Sequence, residues 1–527
     1  MLTEDCAVSL WFLDDTERGN PASTIRTFTC GNLVRPLVHG RDYFRELHRE
    51  LSALRTGDEL FLASFRTDGE ELLDGPGTEV AAVLQAAVRR GARVFGLIWR
   101  SQPEALQQSE RANADVAAAL REVEAEVMLD ARTRRGGSHH QKLVVCRRTG
   151  ADVAFVGGID LALSRADDVD HLGDPQVMDF PSSYGERPPW HDVQIAVRGP
   201  AVSDLELTFR ERWEGSTPLD VPSPLRMAFD RVRHASILTT PELPEARVDP
   251  PSDGPHAVQV LRTYPARLRP YPFAPHGERS IAHAYKKGLS RARALVYIED
   301  QYLWAPEVAR LLVAALRANP QLRLVVVVPR YPDKEGISRW PSLIGRERAI
   351  EVCRAAGPDR FAIYDVENHL GTAVYVHAKV VVIDDVWAMV GSDNMNRRSW
   401  THDSELSCAV LDATRDDRSP HDPGGLGDGA RAFARDLRLQ LWREHLDVDD
   451  DAGLLDPAEA FETMKRSAQR LQAWHDTGRV GPRPPGRLRP HAPESVGRLN
   501  GLWAAPVARL VYDPDGRPLR DRLRRHL

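Results

Sequence analysis

The sequence predicts an α/β protein made of two similar α/β lobes, and three observations support this. Short apolar segments of strand length alternate with amphipathic segments of helical length. The alternation is interrupted by a Pro-rich segment and then resumes in a similar order. One short polar motif occurs once in each half of the chain. We therefore divide the chain into an N-terminal extension (1–30), a first lobe (31–215), a Pro-rich linker (216–255), a second lobe (256–445) and a basic C-terminal tail (446–527).

The composition is typical of a globular protein, with 527 residues, 42% of them hydrophobic and 28% charged, and a formal net charge of -6. No apolar run approaches the roughly 18 residues that span a bilayer, so we expect no transmembrane helix. The N-terminus lacks the basic and apolar regions of a secretory signal, which makes the cytoplasm the default location and leaves peripheral attachment to a membrane open. The five scattered cysteines argue against a disulfide framework and against a zinc site.

The periodicity of the first half predicts strands and helices in alternation. Strands are expected at 59–63, 92–98, 126–129, 142–146, 153–156 and 192–197, and helices at 80–90, 113–125 and 201–213. The connection 165–189 is longer than most loops in compact domains, so it is either a functional lid or a mobile surface insertion.

The second half repeats this pattern after the Pro-rich linker. Strands are expected at 258–261, 294–299, 322–328, 361–364, 380–383, 388–390 and 405–410, and helices at 278–289, 307–318, 345–356 and 431–444. Two similar α/β halves are the simplest interpretation.

The repeated motif is a histidine followed two residues later by a lysine. Lysine is scarce, with six in the chain, and two of the six follow a histidine at this spacing, in His140–Lys142 and His377–Lys379. Each pair enters a β-branched strand, where residues two apart share a face. A second strand follows in each half and ends in Gly157-Gly158 or Gly391-Ser392. Such turns expose backbone amides that are able to approach a phosphate closely.

This inventory is suited to cleaving a phosphodiester. One imidazole attacks phosphorus, the other protonates the leaving oxygen and later activates water, and the two lysines neutralise charge on the phosphoryl oxygens. We expect the reaction to need no metal and no cofactor.

A reacting histidine requires a group that holds its opposite N–H, and each half supplies a carboxylate. Asp192 begins a strand downstream of His140, and Glu405 begins a strand downstream of His377. We expect Asp192 to orient His140 and Glu405 to orient His377, with Asp403 as a rival in the second half. His139 and His191 lie beside key positions but on the opposite face of their strands, so we expect both to be structural.

These motifs in their order resemble those of the phospholipase D superfamily, and more narrowly its phosphatidylcholine-cleaving branch. The resemblance spans roughly residues 30–445 and is more specific than a single His-x-Lys. The segments that carry it are the two His-x-Lys blocks, 155–160 (FVGGID), 189–192 (PWHD), 199–202 (GPAV), 297–302 (YIEDQY) and 403–405 (DSE).

The resemblance implies a pseudo-twofold fold with the active site at the interface of the lobes. It also implies a covalent phosphohistidine that is released by water or, in transphosphatidylation, by an alcohol. By the same resemblance His140 is the nucleophile and His377 the acid and base. The implied phosphate- or substrate-binding residues are Lys142, Lys379, Gly158, Asp160, Ser392 and Asn394.

The first block departs from the family pattern at one position. The second block has Asp384 five residues after its lysine, whereas the first has Arg147. Since this position lies at the far end of the strand, we expect Asp384 to stabilise a turn, and Asp152 is a candidate substitute in the first half.

Other residues have two interpretations. Trp190, Tyr302, Trp304 and Trp400 either form a cation–π cage for a choline headgroup or belong to the core. Glu299 lies either near the pocket or in an ion pair. The C-terminal stretch 466–527 has thirteen arginines and five acidic residues, and it either contacts phosphates or is a solvated or bracing arm.

The leading hypothesis is hydrolysis of phosphatidylcholine or phosphatidylethanolamine to phosphatidate and a free headgroup, with a phospholipid membrane surface as partner and water or an alcohol as acceptor. The alternatives are a phosphatidyltransferase resembling cardiolipin or phosphatidylserine synthase, a nuclease of the superfamily, and a lipid-binding pseudoenzyme. The acidic net charge argues against a nucleic-acid partner. The sequence leaves the oligomeric state and a calcium requirement open.

Overall fold

A computed structural model describes residues 4–100, 109–214, 241–494 and 496–524. Most of the predicted linker therefore lies outside the described residues, and its remainder, 241–255, has no regular structure. The first half contains strands β1 (Thr29–Val38), β2 (Glu59–Ser64), β3 (Arg93–Trp99), β4 (Glu126–Asp130), β5 (Leu143–Arg147), β6 (Val153–Gly157), β7 (Trp190–His191) and β8 (Val193–Arg198). Its helices are α1 (Glu4–Trp11), α2 (Asp15–Arg18), α3 (Gly40–Ala53), α4 (Val80–Arg89), α5 (Glu110–Arg121) and α6 (Ala201–Glu214).

The second half has a matching set of elements. The strands are β9 (His256–Tyr264), β10 (Glu278–Arg279), β11 (Leu295–Glu299), β12 (Arg323–Val327), β13 (Phe361–Glu367), β14 (Ala373–Val376), β15 (Val380–Ile383), β16 (Trp387–Gly391), β17 (Glu405–Asp412) and β18 (Leu488–Pro490). The helices are α7 (Ser280–Arg291), α8 (Pro306–Ala318), α9 (Arg339–Ala356), α10 (Arg397–Thr401), α11 (Ala432–Leu446), α12 (Pro457–Asp476), α13 (Arg498–Val507) and α14 (Leu519–Arg524).

The two sheets have the same topology. The first runs β1-β8-β6-β5-β2-β3-β4 and the second β9-β17-β16-β15-β11-β12-β13. In each sheet the first four pairings are antiparallel and the last two are parallel. β1 also pairs with β9, which joins the sheets. The prediction of two similar α/β lobes is confirmed.

Within the described ranges, three large hydrophobic cores hold these layers together. The central core combines one face of both sheets with α6 and α11, which contribute Phe209, Trp213, Leu437 and Trp442. The outer face of the first sheet packs on α3, α4 and α5, and that of the second on α7, α8 and α9. Apolar spacing explains these contacts, since α4 buries Val80, Val83, Leu84 and Ala87 at helical intervals.

The chain ends differ from the simplest sequence interpretation. Trp11 and Phe12 at the N-terminus pack in the outer core of the second half. The C-terminal stretch contains α12, whose Phe461 and Met464 are buried in the central core. β18 pairs with β13 at the edge of the second sheet. Much of this stretch therefore braces the second lobe.

The loop 165–189 is anchored to both halves. His171 and Tyr184 are fully buried within it, and the Tyr184 hydroxyl donates a hydrogen bond of 2.6 Å to the carbonyl of Tyr331. A mobile surface insertion is therefore the wrong interpretation. Among the described residues, no helix combines the length and apolar character that crossing a bilayer requires.

Candidate active site

The two His-x-Lys segments lie where the halves meet, each immediately before a strand. The first precedes β5 and the second precedes β15, at equivalent places in the two sheets. Each segment crosses to the other half and pairs there. The backbone N–H of His140 donates to the carbonyl of Ser404 at 2.9 Å, and that of His377 donates to the carbonyl of His191 at 2.8 Å.

The orienting carboxylates are exchanged between the lobes. His140 Nδ1 lies 2.8 Å from Oε2 of Glu405, and His377 Nδ1 lies 2.7 Å from Oδ2 of Asp192. The prediction that each histidine is oriented from its own half is wrong. The physical reason is the backbone pairing: His140 is bonded to the residue before Glu405, and His377 to the residue before Asp192.

Asp403, the rival orienter, has a different role. It forms an ion pair of 2.6 Å with Arg398 and accepts the backbone N–H of Ser138 at 2.9 Å. It therefore fixes the segment ahead of His140 and leaves the imidazole to Glu405.

The imidazoles reach the surface whereas their carboxylates do not. The side chains of His140 and His377 are 13% and 7% exposed, and those of Glu405 and Asp192 are 0% and 1% exposed. Because Nδ1 of each ring faces a carboxylate, Nε2 is the nitrogen left to react.

Burial and the lysines set the charge of the site. Burial, and then Lys142 and Lys379, hold the pKa of His140 well below its usual value, while burial and Lys379 lower that of His377. These shifts favour the neutral form of each ring, which leaves Nε2 of His140 with a free electron pair. Burial and the neighbouring Lys142 also lower the pKa of Lys379 to about 8.

The two carboxylates differ in charge. Burial opposes ionisation of Asp192, but the contact with His377 lowers its pKa to about 2. Burial raises the pKa of Glu405 to about 8, with the charge of Asp403 adding to the effect. Ionised Asp192 therefore stabilises a protonated imidazole more than Glu405 does. His377 is thus better suited than His140 to act as the acid.

Gly158 and Ser392 occupy equivalent turns and contact the orienting carboxylates. A Cβ atom on Gly158 would lie 2.2 Å from Oδ1 of Asp192, so only glycine fits. The hydroxyl of Ser392 donates to Oε2 of Glu405 at 2.6 Å. Their amides are already bonded, to the carbonyls of Val193 and Leu406, so the prediction of exposed amides is wrong. Binding of substrate by these two residues stays a prediction.

Asp160 and Asn394 follow these turns at equivalent positions. Oδ1 of Asp160 lies 3.5 Å from Nζ of Lys142, which fixes the ammonium group beside His140. Asn394 is buried, and its Oδ1 has no hydrogen-bond partner within the described part of the chain.

The position of Asp384 and Arg147 lies away from the histidines. Asp384 accepts the backbone N–H groups of residues 293–295 at 2.7 and 2.8 Å, and so stabilises the start of β11. Arg147 is buried and lies 3.1 Å from Glu206 and 3.6 Å from Asp152. The departure from the motif therefore removes no group from the site.

The remaining candidates separate into two groups. Tyr302 and Trp304 line a small pocket together with Tyr331 and Tyr375. Trp190 contacts the ring of His377, but the guanidinium of Arg165 lies 3.6 Å from its centroid. A second set belongs to the interior: Trp400 stacks on Tyr285, His139 lies 3.9 Å from Asp130, and Glu299 accepts from His191 at 2.8 Å.

Sequence reasoning missed Phe65. Its ring contacts the imidazole of His140 edge-on at 4.9 Å, and Nζ of Lys142 lies 5.0 Å from its centroid. The available signal was its place directly after the carboxyl end of β2, where α/β folds collect functional groups.

The chain matches two family models. A family model described as phospholipase D matches residues 101–307 and 362–480, more than half of the chain. A model described as cardiolipin synthase, PLD-like domain, matches residues 285–416.

Two curated relatives are phospholipases D alpha 1 from plants. The chain is 26% identical to that of Vigna unguiculata in an alignment 423 residues long, with coverage of 60% of this chain and 49% of the relative. It is 25% identical to that of Arabidopsis thaliana in an alignment 456 residues long, with coverage of 67% of this chain and 54% of the relative. The chain thus spans about half the length of these relatives. Among solved structures, phosphatidylserine synthase of Haemophilus influenzae has the same fold, with a TM-score of 0.51, 14% identity, and coverage of 84% of this chain and 94% of the other.

Proposed function

Because the chain belongs to the phospholipase D family, we propose that it hydrolyses a glycerophospholipid to phosphatidate and a free headgroup, with phosphatidylcholine or phosphatidylethanolamine as substrate. The observation that carries the proposal is the pair of imidazoles, each held through Nδ1 by a buried carboxyl group of the opposite lobe. Neutral His140 supplies the nucleophile, and His377, once protonated beside ionised Asp192, supplies the proton donor.

The reaction takes place in two balanced steps. Nε2 of His140 attacks phosphorus, the bond from phosphorus to the headgroup oxygen breaks, and protonated His377 transfers its proton to that oxygen. His377 then removes a proton from water, whose oxygen attacks phosphorus. The bond from phosphorus to nitrogen breaks, which releases phosphatidate and neutral His140. An alcohol in place of water yields a phosphatidyl alcohol.

The lysines and Asp192 support these steps. Lys142 and Lys379 neutralise charge that develops on the phosphoryl oxygens. Ionised Asp192 stabilises the imidazolium form of His377, which the first step consumes and the second restores.

A transfer reaction is the second candidate. The match of residues 285–416 to the cardiolipin synthase, PLD-like model and the fold shared with phosphatidylserine synthase favour it. In this case an alcohol-bearing acceptor replaces water in the second step, with the same two histidines.

We also propose that one face of the C-terminal segment 498–512 rests on the phospholipid surface, as a peripheral protein in the cytoplasm. Leu499, Leu502 and Leu510 are 82%, 76% and 74% exposed, and Trp503 and Val511 add to the same segment. The segment adjoins the small pocket lined by Tyr302 and Trp304, since the rings of Tyr512 and Trp304 are 6.4 Å apart. Exposed leucines beside a basic residue, Arg509, suit the boundary of an anionic bilayer.

The test is incubation of the purified chain with phosphatidylcholine vesicles and ethanol, with products identified by mass spectrometry. Phosphatidate together with phosphatidylethanol is expected, and both products must vanish in the variants His140→Asn and His377→Asn. His48→Asn, on helix α3, is the matched control. Vesicle binding without either product would refute hydrolysis of this lipid, and product formation only with another alcohol acceptor would favour the transferase.

A further inference from the structure

The interior beside the active site contains a second cluster of chemically active side chains. His39, His171, His191 and Glu444 each offer one ligand atom, and these atoms all lie within 4.8 Å of one another. The three histidines are fully buried, and the Glu444 side chain is 7% exposed. We propose that these four residues bind one zinc ion.

The three imidazoles converge on a single carboxylate. His39 Nε2 lies 2.9 Å from Oε2 of Glu444, while His171 Nε2 and His191 Nδ1 lie 3.0 and 3.3 Å from Oε1. In a tetrahedral zinc site with bonds of about 2.0–2.1 Å, ligand atoms are separated by about 3.3 Å. The cluster therefore requires small movements of side chains to admit the ion. His191 Nδ1 is buried, has no hydrogen-bond partner among the described residues, and faces the carboxylate.

In His39 and His191 the opposite nitrogen has the kind of partner that metal-binding histidines usually have. His39 Nδ1 lies 3.1 Å from the backbone carbonyl of Asp192, and His191 Nε2 lies 2.8 Å from Oε2 of Glu299. His171 Nδ1 lies 3.7 Å from Oδ2 of Asp167, which is an ion-pair distance and too long for a hydrogen bond. The rings of His39 and His191 are thus held in the orientation that points the other nitrogen at Glu444.

A neighbouring group of three residues is the weaker candidate. Glu299 accepts from both His191 Nε2 and His445 Nε2 at 2.8 Å, and also from the hydroxyl of Tyr297. This group offers two histidines where the first offers three, and a hydroxyl that is not a zinc ligand already bonds to one oxygen of its carboxylate. Three imidazoles and one carboxylate suit zinc better than calcium or magnesium, which prefer oxygen ligands.

The ion would join three parts of the molecule. His39 and His191 belong to the first lobe, His171 comes from the loop 165–189, and Glu444 lies on α11 of the second lobe. All four positions of a tetrahedron are filled by protein, which is the pattern of a structural zinc site. Since Asp192 follows His191, the zinc would also hold the carboxylate that orients His377, without touching the substrate.

The experiment measures metal content of the full chain. The protein is produced in medium that contains zinc, dialysed against metal-free buffer and analysed by mass spectrometry of metals. We expect about one zinc per chain in the wild type. Glu444→Gln and His171→Asn should lose it, and His445→Gln, which changes the neighbouring group, should retain it. Growth with cobalt should give the visible absorption bands of tetrahedral cobalt.

Two results would overturn the proposal. One is a folded wild type that holds less than about a tenth of an equivalent of zinc or cobalt, even after the metal is added. The other is unchanged metal content in folded Glu444→Gln and His171→Asn. If these variants fail to fold, the wild-type metal content and the cobalt spectrum decide alone, and neither depends on lipid turnover.

Discussion

The exchange of carboxylates between the lobes predicts different kinetic effects for Asp192→Asn and Glu405→Gln. Asp192 lies 2.7 Å from His377, the proposed acid, and Glu405 lies 2.8 Å from His140, the proposed nucleophile. A hydrogen bond to a charged group contributes about 1.5–3 kcal/mol, so Asp192→Asn should lower kcat/KM by about 10- to 150-fold on phosphatidylcholine. The carboxyl group of Glu405 is largely uncharged near pH 7, and a neutral hydrogen bond contributes about 0.5–1.5 kcal/mol, so Glu405→Gln should lower kcat/KM by about 2- to 12-fold.

The leaving group separates the two roles. A phosphatidyl ester of p-nitrophenol needs little protonation of its leaving oxygen, so Asp192→Asn should lose far less activity on this substrate. Glu405→Gln should lose activity on both substrates alike, because attack on phosphorus is still required. The assay is kcat/KM, which reports steps up to departure of the leaving group. Asp359→Asn, an exposed carboxylate on the surface, is the control.

The opposite pattern would refute this reasoning. If Glu405→Gln were rescued by the p-nitrophenyl ester and Asp192→Asn were not, Glu405 would support the acid and the roles of the two histidines would be reversed. Equal loss for both variants on both substrates would mean that neither carboxylate acts through a single imidazole.

Three further predictions follow from other contacts. Gly158→Ala places a Cβ against Asp192, so kcat/KM should fall about as far as in Asp192→Asn, at least about tenfold. The circular dichroism spectrum should stay unchanged, and normal activity would show that the turn is able to move. Because burial raises the pKa of Glu405 from 4.5 to about 8, the unfolded state loses this proton at lower pH than the native state does, and the free energy of unfolding falls as pH rises between these two values. Glu405→Gln should therefore become more stable than the wild type, by up to about 1.4 kcal/mol per pH unit, in urea unfolding at increasing pH, and a constant difference would contradict this. Leu502→Ser should weaken binding to anionic vesicles about tenfold, because about 1.4 kcal/mol of apolar contact with the bilayer is lost. Val248→Ser changes an exposed residue elsewhere and should leave binding unchanged. Equal effects of the two variants would exclude the proposed membrane face.

Patterns among neighbouring residues predict many of the strands and helices of the fold. The strands at 59–63 and 380–383 and the helix at 80–90 were predicted because apolar periodicity is a local property of the chain. Neither β1 nor α3 is among the predicted elements. In β1, Pro36 interrupts the strand pattern, and polar and apolar residues alternate too weakly to mark its full length. The positive charge of the tail predicts an arm, whereas the apolar spacing of residues 460–471 places helix α12 against the core.

The sequence predicts which residues form the site better than it predicts which carboxylate faces which histidine. His140, Lys142, His377 and Lys379 were identified because each motif is complete within a few residues and occurs twice. The sequence does not distinguish whether Asp192 serves His140 or His377, because both carboxylates begin a strand downstream of a motif. The parallel pairing of β7 with β14, and of His139 with Ser404, decides it across the lobes.

The buried histidine cluster shows the same limit more strongly. His39 and His171 both bond to Glu444, from 405 and 273 residues away along the chain. No spacing rule joins such positions, so the sequence alone predicted no metal. Local patterns determined which elements form and which residues carry the chemistry. The tertiary structure alone decided which carboxylate faces which imidazole, because that depends on how two similar sheets meet.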